Sequence, residues 1–147
     1  MSATERPLDL GLLLLRLGMG GMFLFVHGGP KLLGGPEMWA KVGAATQHLG
    51  MHFLPMMWGF LAACAEGLGG LCLMLGIFTR PAAALMAITM AVATMTHLTQ
   101  GDGVQVASHA IEAGLVFIGL LVTGPGEYSV ERTFFSRSSA GSQYTLP

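Results

Sequence analysis

The sequence predicts an all-α integral membrane protein built as a bundle of four transmembrane helices. Of its 147 residues, 52% are hydrophobic and only 10% are charged, and the mean hydropathy is +0.63. So few charges cannot cover the surface of a soluble globule of this size. Four apolar runs of helical length alternate with segments rich in glycine, proline and polar residues. The net charge of -1, with no basic block, argues against a nucleic-acid partner.

The first apolar run predicts a helix over residues 8–26. Arg6-Pro7 opens it, and His27-Gly28-Gly29-Pro30 is expected to end it because glycine and proline disfavour helix interiors. The run is longer than a signal-peptide core and is not preceded by net basic residues, so we expect it to be retained. Residues 38–49 of the mixed segment that follows are predicted to form a short amphipathic helix at the membrane interface, with Trp39 as an anchor.

The second apolar run, over residues 58–80, contains a single carboxylate, Glu66. A charge near mid-bilayer costs several kcal/mol unless it faces the bundle interior, takes a proton or finds a partner. Small residues surround Glu66 at helical spacing, which lets another helix come close. We therefore expect Glu66 to face protein rather than lipid. Cys64 and Cys72 lie roughly 12 Å apart along this helix, too far to form a disulfide with each other.

Two further helices complete the prediction. A tight return at Thr79-Arg80-Pro81 leads into a third helix over residues 82–96, with His97 at its end. The fourth helix covers residues 106–122, and its His109 and Glu112 share a face because they are three residues apart. From Glu127 the chain is polar and serine-rich and is expected to be poorly ordered. The predicted division is a membrane domain over residues 1–129 and a disordered tail over residues 130–147.

Topology follows from the number of spans and the basic residues. Four spans put both termini on one side of the membrane. That side is predicted to carry Arg6, Arg80, Arg132 and Arg137, whereas the opposite side carries Lys31 and Lys41. The excess of basic residues predicts cytoplasmic termini.

The rise of an α-helix per residue gives the depth of each polar side chain in the membrane. Arg16 lies roughly 12 Å and Glu66 roughly 18 Å from the cytoplasmic side, near enough for an ion pair that would orient or balance Glu66. The alternative is a structural pair that only fixes helix register. The outer half of the bundle is predicted to collect polar side chains from all four helices: His27, Glu66, His97, His109 and Glu112. Headgroup contacts of His27 and His97, and a plain hydrogen bond between His109 and Glu112, are alternatives.

Three segments resemble the DoxX family of small four-helix bacterial membrane proteins. They read LLLRLGMGGMFLFVHGGPKLLG, AEGLGGLCLMLGIFTRPAA and HAIEAGLVFIGLL followed by GPGEYS, and the likeness runs in order over residues 8–129. Positions that match the family pattern are Arg16, His27, Lys31, Glu66, Gly69, Gly70, Phe78, Thr79 and Arg80. The chain departs from the family in its histidine-rich outer half, where the fourth helix carries both His109 and Glu112.

The resemblance implies a bacterial cytoplasmic (inner) membrane protein. Members of the family are linked to membrane-associated redox and sulfur-stress complexes with soluble partners. The related DoxD subunit belongs to a membrane thiosulfate:quinone oxidoreductase. Because this chain departs from the family pattern in its outer half, the substrate of a relative cannot be assigned to it.

The leading hypothesis is a membrane subunit of a redox system that binds a quinone in the outer half of the bundle. Glu66, His109 and Glu112 would be catalytic proton-handling residues, and Arg16, His27 and His97 would bind or orient the quinone. The sequence has no flavin, dinucleotide, haem-attachment or iron–sulfur motif, so a redox partner protein would supply the electrons.

Two hypotheses from other classes remain open. One is a haem or transition-metal protein that uses His27, His97 and His109 as ligands together with a carboxylate. The other is a non-catalytic assembly subunit or small transporter, in which Arg16 and Glu66 only hold the helices together.

Overall fold

A computed structural model describes residues 5–134 as a helical bundle with no strand in that range. Four helical segments in it are long and apolar enough to cross a membrane: residues 6–33, Pro55–Leu75, Thr79–Gln100 and Gly103–Thr123. The prediction of an all-α protein with four membrane-spanning helices is confirmed.

The first span is a composite helix of 28 residues. It consists of α1 (Glu5–Met22), a π-helical turn (Phe23–Gly28) and α2 (Gly29–Leu33). The prediction that His27 to Pro30 would end this helix is wrong. The wider turn, in which the Gly29 N–H donates to the Leu24 carbonyl five residues back, lets the helix continue. Pro30 then falls in the first turn of α2, where a missing N–H does little harm.

Between the first two long spans, α3 (Gly35–Gly43) and a 3₁₀ helix (Ala44–Leu49) replace the single short helix that we predicted over residues 38–49. The Trp39 indole N–H donates to the Lys31 carbonyl over 2.8 Å, and its ring lies 4.8 Å from that of Phe60. Trp39 therefore packs on protein. A Cβ added at Gly43 or Gly59 would lie 1.7 Å from a carbonyl oxygen of the facing helix, so α3 crosses α4 backbone to backbone.

The remaining helices are α4 (Pro55–Leu75), α5 (Thr79–Gln100) and α6 (Gly103–Thr123). The return between α4 and α5 lies at residues 76–78, not at Thr79-Arg80-Pro81 as predicted, and Gly76 and Phe78 take left-handed backbone conformations there. Pro81 instead falls in the first turn of α5, which tolerates proline. The turn between α5 and α6 shrinks to residues 101–102.

The spans pack in chain order. The first span runs antiparallel to α4, with Gly20 against Gly70 and Gly28 against Gly67. α5 packs between α4 and α6. The buried apolar core joins side chains from all four spans: Leu12, Phe23, Leu73, Met86, Phe117 and Leu120.

The segment after α6 departs from the disorder that we expected from Glu127 onwards. The Glu127 N–H donates to Asp9 Oδ1 over 3.0 Å, Ser129 is 5% exposed, and residues 130–134 are helical. The Asp9 contact ties the segment to the start of α1, and the Glu131 N–H, which donates to the Gly76 carbonyl over 3.1 Å, ties it to the α4–α5 turn. The predicted disordered tail over residues 135–147 lies outside the described residues.

Candidate functional site

Glu66 is buried in the middle of α4 and forms an ion pair with Lys31. The Lys31 Nζ lies 2.7 Å from Oε1 and 2.6 Å from Oε2 of Glu66. The Glu66 side chain is 2% exposed, whereas that of Lys31 is 28% exposed. The prediction that Glu66 faces protein is confirmed. Lys31 was not predicted from the sequence as the partner of Glu66.

Lys31 reaches Glu66 because the first span continues past Gly28. A Cβ at Gly28 would lie 2.1 Å from the Gly67 backbone nitrogen, so the two helices touch there. Lys31, in α2, lies three residues after this contact. Its side chain therefore reaches Glu66, the residue before Gly67 in α4. The family resemblance included the Lys31 position, but the assumed end of the helix at Pro30 placed this residue in a loop.

Arg16 does not pair with Glu66, so the predicted ion pair is wrong. Arg16 is completely buried. It donates one hydrogen bond to the Leu73 carbonyl over 3.4 Å and another to the Tyr128 carbonyl. The antiparallel register places Arg16 opposite the carboxyl end of α4, about 10 Å along the helix from Glu66.

The surroundings of Arg16 explain how a buried cation is accepted. The last carbonyls of a helix carry partial negative charge, which favours a cation there. A Cβ at Gly76 would lie 2.1 Å from the Arg16 Nη1, so glycine makes room for the guanidinium. Arg16 thus joins the end of α4 to the segment after α6, and its contacts are those of a structural residue.

A cavity of about 800 Å³ lies beside the ion pair. Its walls come from the 3₁₀ helix, α4 and α5, and they are almost entirely apolar. Lys31 and Glu66 supply the charged part of the wall. The free thiols Cys64 and Cys72 line it too. The Trp58 indole nitrogen, on another lining residue, is buried without a hydrogen-bond partner among residues 5–134.

The other residues predicted for the site do not line this cavity. His27 is exposed, with its ring 4.9 Å from that of Phe23. The His97 Nδ1 lies 2.8 Å from an Asp102 carboxylate oxygen in the turn before α6. His109 and Glu112 are exposed on α6. A role of these residues in quinone chemistry stays a prediction.

The geometry gives no support to a metal site. Within residues 5–134, no group of three or more His, Cys, Asp or Glu side chains is arranged to hold a metal ion. The histidines named for the metal or haem hypothesis, His27, His97 and His109, do not form such a group.

The fold and the ion pair define a class of protein: a small four-span integral membrane protein with a charged pair on the wall of an apolar cavity. The chain belongs to the DoxX family, whose model matches residues 11–99. The match covers Lys31, Glu66 and the cavity, and it ends before α6. Comparisons with curated proteins and with solved structures found no match.

Proposed function

We propose that this protein is the quinone-binding membrane subunit of a redox system, and that the quinone binds in the cavity beside Lys31 and Glu66. The observation that carries the proposal is the combination of an apolar cavity of about 800 Å³ with one buried ion pair on its wall. Cavities of roughly 300–1,000 Å³ with apolar walls and a few polar groups are typical of small-molecule sites.

The chemistry of a quinone suits both parts of this cavity. Its isoprenoid tail is apolar and its ring carries two carbonyl oxygens that accept hydrogen bonds. The Lys31 ammonium has three N–H donors, so it can bind a carbonyl oxygen while it stays in contact with Glu66. Reduction to the quinol takes two electrons, which the redox partner supplies, and two protons. The partly exposed Lys31 ammonium can give a proton to Glu66 and regain one from water, and the protonated Glu66 can pass its proton to a ring oxygen.

This proposal changes the roles assigned from the sequence. Glu66 keeps the catalytic role, and Lys31 replaces Arg16 as the cation beside it. The electrons come from a soluble or membrane-bound redox partner. With the termini in the cytoplasm of a bacterial inner membrane, the pair joins the outer end of the first span, which carries Lys31, to the middle of α4, which carries Glu66.

The test is to extract and quantify quinones that co-purify with the full-length protein by liquid chromatography and mass spectrometry. Ala65→Phe would fill the cavity next to Glu66 and is expected to remove most of the bound quinone. Ala91→Phe is the matched control, since Ala91 is exposed on α5 and does not line the cavity.

A second pair of variants tests the polar part of the site. Glu66→Gln should reduce quinone retention, and Glu37→Gln, at an exposed position of α3, should leave it unchanged. Equal retention in Ala65→Phe and Ala91→Phe, or no quinone in the native protein purified from a quinone-containing membrane, would refute the proposal.

A further inference from the structure

The outward face of α6 carries polar and charged side chains at the depth of the membrane. Glu112 is the tenth residue of this helix of 21 residues. It therefore lies about 14 Å from the start of a helix about 31 Å long. The buried residues of α6 are Ala107, Ala110, Phe117 and Leu120, on the opposite face. Glu112 thus faces away from its own bundle.

Neither Glu112 nor the neighbouring His109 has a hydrogen-bond or ion-pair partner within residues 5–134, and both are exposed. A carboxylate that faces lipid at this depth costs several kcal/mol, and intramembrane charges almost always meet a partner or water. A partner from outside the described bundle would remove this cost.

The spacing of the exposed residues on α6 fits a seam between two parallel helices. Gln105, Glu112 and Gly119 recur every seven residues, and Ser108, Leu115 and Val122 form a second series with the same period. Residues in such a pattern stay on one face of a helix and meet the same residues of a parallel copy. Leu115 is 64% and Val122 is 72% exposed. A Cβ at Gly119 would have open space within 4 Å in the part of the chain that the structure describes, so a second backbone can approach there.

We propose that α6 is the interface of a parallel homodimer. A second copy of the chain fits this face because the face carries both hydrogen-bond donors and acceptors. The two Glu112 carboxyl groups approach each other across the two-fold axis, so each requires a donor, and the partner's His109, one turn away on the edge of the same face, supplies it. The Gln105 amide is both donor and acceptor and can bond to its own counterpart. A two-fold axis along the membrane normal brings all three contacts together from one segment.

The proposal is tested with full-length protein in vesicles of phosphatidylcholine at high lipid-to-protein ratio. Leu115→Cys lies on the seam and should form a disulfide-linked dimer under mild oxidation. Ile118→Cys, 50% exposed on the flank of the seam, should cross-link much less because its thiols are too far apart. The native protein, whose Cys64 and Cys72 line the cavity, gives the background.

A second pair of variants separates the interface from the fold of the monomer. Gly119→Ile should abolish the dimer without disturbing the bundle, since Gly119 is exposed and a Cβ there has open space among residues 5–134. Gly18→Ile is the control, because Gly18 is equally open on the exposed face of α1. Glu112→Ala should weaken dimerisation by about 3- to 30-fold, the range that interhelical hydrogen bonds in membranes give.

Monomeric native protein in vesicles, or equal dimerisation of Gly119→Ile and Gly18→Ile, would overturn the proposal. Cross-linking of Leu115→Cys in native membranes only to a different protein would overturn the choice of a second copy.

Discussion

Removal of Lys31 should destabilise the bundle more than removal of the charge on Glu66. Lys31→Met leaves a carboxylate that is 2% exposed without its cation. Breaking a buried pair in this way costs about 3–5 kcal/mol, and we expect about 3 kcal/mol because the lysine is partly exposed. Glu66→Gln leaves a lysine whose long side chain can turn towards the membrane surface. It should therefore cost only about 1–2 kcal/mol.

The double variant Lys31→Met/Glu66→Leu separates the ion pair from simple packing. Replacement of a buried pair by apolar side chains is often neutral, so the double variant should lie within about 1 kcal/mol of the native protein. The measurement is the free energy of unfolding in mixed micelles, from SDS titration followed by far-UV circular dichroism. Lys41→Met, at an exposed position of α3, is the control and should change this free energy by less than about 0.5 kcal/mol.

One result would show that Lys31 and Glu66 do not stabilise each other. If the double variant lost as much stability as Lys31→Met and Glu66→Leu measured separately and added together, the two side chains would not be energetically coupled. The 2.6 Å contact would then contribute nothing to the fold.

Arg16→Met should lower the free energy of unfolding by about 3 kcal/mol, because hydrogen bonds from a charged group contribute roughly 1.5–3 kcal/mol each. It should also speed trypsin cleavage at Arg132, since the segment after α6 loses its anchor. Asp9→Ala should act in the same direction by about 1 kcal/mol, because its carboxylate accepts the backbone N–H of that segment. Gly59→Ala should cost about 3 kcal/mol, as its Cβ would lie 1.7 Å from a carbonyl oxygen of α3. Thermal unfolding monitored by circular dichroism measures the effect of Gly59→Ala.

Each of these variants has its own control and its own contrary result. Gly18→Ala adds a Cβ in open space and should stabilise the protein slightly through helix propensity; equal losses at Gly59 and Gly18 would contradict the close crossing of α3 and α4. Unchanged trypsin cleavage in both Arg16→Met and Asp9→Ala would show that neither residue holds the segment after α6.

The features predicted well from the sequence depend on composition and on spacing within one helix. Long apolar runs must form helices in a membrane because every backbone polar group needs a partner, so the four spans were readily found. Small residues around Glu66 showed correctly that it faces protein. The DoxX resemblance was confirmed on similar grounds, since it rests on residue order along the chain.

The features predicted wrongly depend on how the helices sit against one another. Depths counted from predicted ends placed Arg16 within reach of Glu66, but the contacts of Gly20 and Gly28 with α4 set a different register. Lys31 was overlooked because glycine and proline around residue 29 usually end a helix, and a local change of helix type is not visible in hydropathy. His109 and Glu112 were predicted to join the polar side chains in the outer half of the bundle; both are exposed on α6, and their role in quinone chemistry stays a prediction.

The π-helical turn at Phe23–Gly28 acts as a built-in insertion of one residue. Its i to i+5 bonding takes up one extra residue in a single turn, so the helix after it keeps the direction that a chain one residue shorter would have as an uninterrupted α-helix. If the same residues formed a regular α-helix, Lys31 would be rotated by about 100° around the helix axis, away from Glu66. The helix type of this segment, and not only the presence of the lysine, therefore decides whether the buried carboxylate has a cation, and related chains with a one-residue gap here should keep the pair on a regular α-helix.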